Sequence, residues 1–254
     1  MRLTINRESF TKALLAASRA TATKSPDPIL LNLSLELNDR GLEIIGTNRE
    51  ITIKSLVPYM KNDETIIKDA RQGKCLLNAH IVCEAVRKLE GNEVSFEVID
   101  DSIAKIDDGK SSFKLNVLQS ELGDIDLETN DATCLSLGSK EFADLVDKTA
   151  FAVATKNQHI ALICIHFECK DGKLIAISTD SARLSKASID INQEANFVAN
   201  IPGKTLLEVV HLFETPDNLR ISVTNTKAVF EYQALSKEFI REFKDYWKWI
   251  CFFH

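Results

Sequence analysis

Two short segments carry residue types that could bind a ligand, and the first is a Gly-Lys-Thr step. Gly203, Lys204 and Thr205 have the order that ends a phosphate-binding loop. Such a loop also needs a glycine five positions before its last one, so that the backbone can surround the phosphates. Val198 stands at that position. The sequence therefore predicts no nucleotide-phosphate site here.

The second segment brings thiol and imidazole groups together, and both are ligands for zinc. Cys164, His166 and Cys169 lie in a stretch that alternates like a β-strand. Cys164 and His166 would share one face of that strand, Cys169 would lie on the other, and no fourth ligand is nearby in the sequence. We therefore expect no metal and no cofactor.

No group of residues in the sequence suggests catalysis. The five histidines are far apart, and the carboxylates lack the clustering that two-metal chemistry needs. We therefore predict a protein that is not an enzyme. An enzyme of an unrelated class is the alternative, and nuclease or nucleotidyl-transfer activity that one carboxylate change abolishes would support it.

The composition is typical of a globular protein with an acidic balance. The 254 residues allow one large or two ordinary domains, and the formal net charge is −6. Such a chain does not hold DNA by bulk attraction, so DNA binding would need a local basic face or a topological link. The start lacks the apolar core of a secretory signal, and no run could span a membrane. We expect a cytoplasmic protein with no membrane contact, whose scattered cysteines are reduced.

An internal repeat organises the chain. A strand-like start and an amphipathic helix over residues 8–20 recur later, so that Phe10 matches Phe142, 132 positions further on. A hairpin follows each helix at the same offset. Helices predicted at 78–89 and 202–213 are offset by 124, which indicates a small deletion in the second copy. Each copy reads strand, helix, hairpin, strand, helix, hairpin, which predicts the α+β class with helices on one face of antiparallel sheets.

Basic residues lie on the predicted helices at loose spacing. Lys12 and Arg19 are seven positions apart and share one face of the first helix, and Lys148 lies on the third helix. Such residues could contact the DNA backbone, because phosphate contacts position a protein without reading the bases. The alternative is an ordinary solvated polar face.

Five segments have the order and spacing of motifs in one known family. They are Leu3–Phe10, Pro28–Leu30 with Leu33 after it, Ile45–Glu50, Ile177–Leu184 and Phe243–Tyr246. Together they resemble the first two domains of bacterial sliding DNA clamps, the β subunit of the replicative DNA polymerase. The resemblance implies tandem DNA-clamp domains at 1–128 and 129–250, each with antiparallel sheets outside and two helices on the inner face.

The resemblance also implies a function and partners. Sliding clamps form rings of head-to-tail subunits around double-stranded DNA and tether the polymerase, so that rebinding occurs at high effective concentration. The expected partners are double-stranded DNA, the replicative polymerase and the clamp loader, and a functional chain is expected to form a homo-oligomer. Lys24 and Lys156 become candidate contacts to the DNA backbone beside Lys12, Arg19 and Lys148. Ordinary surface lysines are the alternative.

A pocket for partner peptides is the second site that the resemblance implies. It matches Leu162, Thr179, Arg183 and Leu184, with Lys248 near its rim. Plain core packing is the alternative for the two leucines.

The chain departs from the family pattern in three places. Ser181 and Ala182 replace the usual Gly and His, so we expect an altered pocket floor, and Lys244 replaces a Pro. The third clamp domain is expected to be absent, so a six-domain ring would need three copies. The competing hypothesis is a truncated clamp paralogue or fragment that acts as a regulatory protein without a ring. For the aromatic segment 247–254 three alternatives stay open: a partner surface, an aggregation hazard, or the product of a truncated or shifted reading frame.

Overall fold

Two compact units make up this computed structural model, one mainly on Met1–Asp126 and the other mainly on Leu127–Leu235. The structure describes residues 1–123, 131–156, 159–213, 215–233 and 247–252. Both units combine antiparallel sheets with two α-helices, so the predicted α+β class is confirmed.

Along the chain, the two helices of the first unit alternate with groups of strands. Its helices are α1 (Arg7–Ser18) and α2 (Ala79–Arg87). Its strands are β1 (Arg2–Asn6), β2 (Asn32–Asn38), β3 (Gly41–Thr47), β4 (Ile51–Pro58), β5 (Met60–Lys61), β6 (Glu64–Thr65), β7 (Ile67–Arg71), β8 (Gly73–Asn78), β9 (Glu93–Ile99), β10 (Ile103–Asp107) and β11 (Ser112–Asn116). The two main sheets have the orders β11-β10-β9-β1-β7 and β4-β3-β2-β8, and every pair is antiparallel.

Local sequence explains where the helices of the first unit begin. The side chain of Asn6 accepts the backbone N–H of Ser9 at 3.0 Å, and that of Asn78 accepts the N–H of Ile81 at 3.1 Å. Such caps satisfy amide groups that the first helical turn leaves without partners. The apolar stripe of α1 then packs into the core, where Phe10 meets Phe96 edge to face, with ring centroids 6.1 Å apart.

The second unit repeats this plan with fewer strands. Its helices are α3 (Ser139–Ala150) and α4 (Gly203–Val210). Its strands are β12 (Thr133–Gly138), β13 (Cys164–Lys170), β14 (Lys173–Thr179), β15 (Leu184–Asp190), β16 (Phe197–Pro202), β17 (Asn218–Val223) and β18 (Lys227–Gln233). The pairings are antiparallel, in the orders β12-β17-β18 and β15-β14-β13-β16. Phe142 packs against Phe167 and Phe230 in the core, with centroids 6.0 and 5.6 Å away.

The change of offset between the two copies has a structural location. In the first unit, residues 59–72 join β4 to β8 and contain β5, β6 and β7. In the second unit, residues 191–196 alone join β15 to β16. The connection is eight residues shorter, which equals the change of offset from 132 to 124.

The structure adds strands that the sequence pattern did not predict. β4 and β15 extend each first hairpin to three strands, and β7 adds a strand to the outside of β1. The strand β19 (Trp247–Phe252) ends the described chain, and its side chains lie outside the described residues.

Four of the five cysteines with described side chains, Cys75, Cys83, Cys164 and Cys169, are buried, and none of the five forms a disulfide. Burial raises the pKa of Cys75 to about 12 and that of Cys83 to about 11. A thiol with such a pKa stays protonated at neutral pH, so these side chains act as small apolar groups.

Candidate functional site

A tight turn between β14 and β15 carries three of the residues predicted for the partner pocket. The hydroxyl of Thr179 donates to the carbonyl of Arg183 at 2.7 Å and accepts the N–H of Ser181 at 3.2 Å. The carboxylate of Asp180 accepts the N–H groups of Ala182 and Arg183, both at 3.0 Å. These bonds, chiefly those from Arg183 and Ala182, hold the pKa of Asp180 below its usual range. The turn is thus fixed by side chains at its own start.

The turn directs Arg183 toward the end of α3. The Nε of Arg183 donates to the second carboxylate oxygen of Asp180 at 2.9 Å, and its guanidinium lies 5.7 Å from the ring centroid of Phe151. A cation over an aromatic face is worth about 0.5–1 kcal/mol at an exposed site. Ser185 ties the same region down by donating to the carbonyl of Lys148 at 2.6 Å. The turn and the helix end therefore form one surface.

Two large apolar side chains on this surface are exposed. Phe151, which follows α3, is 56% exposed, and Leu184, the first residue of β15, is 67% exposed. Leu184 lies outside the core, so the core-packing alternative is wrong for this residue. Arg183 links the two exposed residues, because it stacks over Phe151 and precedes Leu184 in the chain. Exposed apolar side chains with polar groups around them are typical of a protein-binding surface.

Leu162 lies in a separate 3-10 turn, Ile160–Ile163, that is also tied to the end of α3. Its carbonyl accepts the N–H of Ala154 at 2.9 Å, and its own N–H donates to the carbonyl of His159 at 3.0 Å. The side chain of Leu162 is half-buried, while that of Ile160 is 64% exposed. Both turns are therefore held against the C-terminal end of α3.

The structure places most, but not all, of the predicted pocket residues. Thr179, Arg183 and Leu184 share one turn, and Leu162 is anchored to the same helix end. Lys248 lies on β19, where its side chain is outside the described residues. Phe151 was missed by sequence reasoning, because it lies off the buried stripe of α3 and resembles any aromatic residue at a helix end.

The five basic residues predicted to meet DNA are all exposed and divide between the units. Lys12 lies on α1, with Arg19 and Lys24 beyond its end, while Lys148 lies on α3, with Lys156 beyond its end. Lys24 and Lys156 occupy equivalent positions of the repeat, 132 residues apart. Each unit thus carries a lysine in the loop that follows its first helix.

Acidic neighbours moderate the charge of these helices. The ammonium of Lys12 lies 3.0 Å from a carboxylate oxygen of Glu8, one helical turn earlier, and it holds the pKa of Glu8 below its usual range. Asp144 and Asp147 are exposed on α3 near Lys148. The helices therefore offer scattered cations rather than a dense basic stripe.

Within the part of the chain that the structure describes, no group of three or more His, Cys, Asp or Glu side chains could hold a metal ion. His166 instead pairs with Asn200 across β13 and β16, with Nδ1 2.9 Å from the amide oxygen. No helix among the described residues is long and apolar enough to cross a membrane.

Comparison with known protein families gives two consecutive matches. A model described as the DNA polymerase III beta subunit, N-terminal domain, matches residues 1–125, and one described as its central domain matches residues 136–239. The Beta sliding clamp of Bacillus subtilis is 26% identical over 234 residues, which cover 91% of this chain and 62% of that protein. The Beta sliding clamp of Halalkalibacterium halodurans is 29% identical over 241 residues, which cover 92% and 63%.

Solved structures give the same result at the level of the fold. The DNA polymerase sliding clamp from Bacillus subtilis matches with a TM-score of 0.85 at 23% identity, covering 100% of this chain and 65% of that one. The DNA polymerase III beta chain from Streptococcus pneumoniae matches with a TM-score of 0.86 at 24% identity, covering 99% and 64%. The fold is therefore that of a DNA polymerase sliding clamp.

Because the two family models together match most of its length, the chain belongs to the DNA polymerase III beta subunit family. The resemblance predicted from the sequence is confirmed. The chain spans 62–63% of the length of these curated relatives.

Proposed function

We propose that this chain is a sliding-clamp processivity factor, which encircles double-stranded DNA and tethers the replicative polymerase without catalysing a reaction itself. The observation that carries the proposal is the clamp domain built twice in one chain. The proposal is also supported by Lys24 and Lys156, which are exposed at equivalent positions of the two units. Each lysine would contact phosphates of the DNA backbone from its own unit.

The charge of the chain favours a topological mechanism of retention. With a net charge of −6, the chain lacks the excess of Lys and Arg that tight DNA binding through counterion release requires. A ring does not need tight contacts, because the DNA cannot leave until the ring opens or the DNA ends. Weak, scattered phosphate contacts would then centre the duplex and still permit sliding.

The proposal assigns partners and domains as well. We place the clamp domains at 1–128 and 129–250, assembled head to tail into a homo-oligomer in the cytoplasm. The polymerase and the clamp loader would bind through short peptides at the surface formed by Phe151, Arg183 and Leu184. Apolar anchor residues of the peptide would cover the two apolar side chains. A few such buried anchors supply most of the binding energy at an interface.

A retention assay on circular DNA tests the ring directly. The labelled chain is incubated with nicked circular plasmid, the cognate clamp loader and ATP, and the plasmid is then separated by gel filtration at high salt. A ring predicts label that stays with the circle and leaves after a restriction enzyme cuts it once. Label lost equally from circular and linear DNA would overturn encirclement.

A regulatory protein that binds clamp-binding peptides without forming a ring is the second candidate. It is favoured by one observation, namely that the surface of Phe151, Arg183 and Leu184 is built within the second unit alone. Light scattering during size-exclusion chromatography separates the two candidates. Three copies of the 28.4 kDa chain would match a six-domain ring, whereas a monomer that still binds the peptide would match the regulator.

A further inference from the structure

The outer edge of β12 has a different hydrogen-bond partner from the equivalent edge of β1 in the first unit. In the first unit, β7 pairs with β1 antiparallel, and Thr4 lies opposite Lys68. In the second unit, the shorter connection contains no such strand, and among the strands that the structure describes β12 is the terminal one of its sheet. Ser136 is the residue that corresponds to Thr4, 132 positions later. Its outward N–H and C=O groups therefore need another partner.

The side chain of Gln193 supplies that partner. Its amide oxygen accepts the N–H of Ser136 at 3.0 Å, and its amide nitrogen donates to the carbonyl of Ser136 at 2.6 Å. A primary amide that bonds to both groups of one residue reproduces the pairing of a neighbouring strand. The side chain thus takes the place that the backbone of β7 takes in the first unit.

The connection that carries Gln193 is anchored on both sides. Ile191 is buried and its N–H donates to the carbonyl of Gly172 at 2.8 Å. Ala195 is buried and its carbonyl accepts from the thiol of Cys169 at 3.5 Å. The position of the amide is therefore set by the connection itself, and its removal would leave both anchors in place.

Protection of this edge has a physical reason. An exposed strand edge pairs with strands of other molecules unless charges, proline, a bulge or a covering segment prevents it. The first unit protects the same side of its sheet with β7, which carries Lys68, Asp69 and Arg71 and a register shift opposite β1. The strand β12, with the sequence TCLSLG, has neither charge nor proline.

We propose that Gln193 is an edge cap, which keeps β12 from pairing with the β12 strand of a second copy of this chain. The amide occupies the hydrogen-bonding groups at the centre of the edge, so an incoming strand would have to displace it. Pairing of β12 with itself would be antiparallel around a two-fold axis near Ser136, and it would join two copies in a closed contact. This contact would differ from the head-to-tail contact of a clamp ring.

The test compares Gln193→Ala with the unmodified full chain and with Asn192→Ala, a change at the exposed neighbouring position. Two quantities are measured: the mass by light scattering over a range of concentrations, and the hydrogen exchange of the Ser136 amide. The cap predicts that Gln193→Ala alone speeds exchange roughly tenfold, as expected for loss of one hydrogen bond. It also predicts that Gln193→Ala forms, with rising concentration, a species with twice the mass of the unmodified protein.

A second variant keeps the test decisive. Adding Ser136→Lys to Gln193→Ala places a charge on the edge, and this double variant should return to the mass of the unmodified chain. Unchanged mass and unchanged Ser136 exchange in Gln193→Ala would overturn the cap. Faster exchange without a heavier species would also overturn it, because the edge would then be open and still not associate.

Discussion

The turn between β3 and β4 in the first unit and the turn between β14 and β15 in the second use the same hydrogen bonds. Thr47 donates to the carbonyl of Ile51 as Thr179 does to that of Arg183. Asn48 accepts two backbone N–H groups at 3.0 and 2.8 Å, just as Asp180 does at 3.0 Å. Even the left-handed residue is shared, since φ is 75° at Arg49 and 78° at Ser181.

The surfaces that these two turns present are nevertheless opposite in character. Thr52 is 1% exposed and its hydroxyl lies 2.8 Å from that of Thr47, whereas Leu184 at the equivalent position is exposed. In the first unit, Arg49 forms an ion pair with Asp27 at 2.7 Å. Asp27 caps the 3-10 turn Pro28–Leu31, so the ion pair joins the two turns.

The equivalent residues of the second unit cannot repeat that ion pair, because positions 181 and 159 hold Ser and His. The end of the first helix differs too, since the second unit has Phe151 where the first unit has Arg19. The comparison teaches that the backbone of the turn is specified by two side chains at its start. The outward side chains are then free to differ, and in the second unit two of them, Phe151 and Leu184, are exposed apolar residues.

The largest expected effect tests whether the two units share one scaffold. Phe10→Ala and Phe142→Ala should each lower the free energy of unfolding of their own unit by about 3–5 kcal/mol, because each removes a fully buried ring at the equivalent position. Hydrogen exchange resolved by unit would measure both. Leu15→Ala, at a part-exposed position of α1, is the control and should cost less than about 1 kcal/mol. Unequal losses from the two Phe changes would break the equivalence.

Peptide binding should distinguish the two surfaces. Phe151→Ala or Leu184→Ala should weaken binding of a clamp-binding peptide roughly 10–100-fold, because either change removes an apolar anchor. Calorimetric titration measures the affinity, and circular dichroism checks the fold. Arg19→Ala alters the position equivalent to Phe151 in the first unit and should leave the affinity unchanged. If the Arg19 change weakens binding as much as the Phe151 change, the peptide does not choose the second unit.

Acid should destabilise the turn between β14 and β15 and leave the turn between β3 and β4 unchanged. Backbone N–H groups lower the pKa of Asp180 in the folded state, so its stabilising contribution is present above the unfolded-state value of ~3.9 and is lost as the pH falls through the folded value. Asn48 does not titrate. Amide exchange at Ala182 and Arg183 should therefore rise in strong acid relative to Glu50 and Ile51.

Asp180→Asn gives the matched control for this pH effect. It copies the residue of the first unit and keeps the acceptor oxygen, so the acid sensitivity of the turn should disappear. An acid response that survives this change would mean that another group controls the turn.

The smallest expected effect concerns DNA. Lys24→Ala and Lys156→Ala should each reduce the salt dependence of binding to double-stranded DNA by roughly one unit of slope, as for loss of one phosphate contact. Fluorescence anisotropy at several salt concentrations measures this slope. Lys173→Ala, an exposed change in the β13–β14 hairpin, is the control. A change in slope for only one of the two lysines would show that the units do not meet DNA equivalently.

Much of the fold could be predicted because hydrophobic periodicity and turn residues occur twice in the sequence. The helix predicted over residues 8–20 is α1, which ends at Ser18 because the next N–H groups, from Arg19 and Ala20, bond three residues back. β7 was missed, since four of its five residues are exposed and it shows no alternation. Its pairing with β1 is a long-range contact that no local pattern reveals.

The site could be predicted only in part, for a similar reason. The segment Thr179–Leu184 was recognisable as a motif, but its sequence does not show that Leu184 points outward. Phe151 and Gln193 gave no signal, because an aromatic residue after a helix and an amide in a connection are common. Their roles depend on what the fold brings near them, namely Arg183 and Ser136.

The most direct test of the difference between the two turns is a residue-resolved NMR titration of the full chain with a clamp-binding peptide of a replicative polymerase. Binding at the second unit predicts saturable shifts at Phe151, Arg183 and Leu184, with none at Arg19, Ile51 and Thr52. Equal shifts at both sets, or shifts at neither set with binding elsewhere, would contradict the assignment of the partner surface to the second unit.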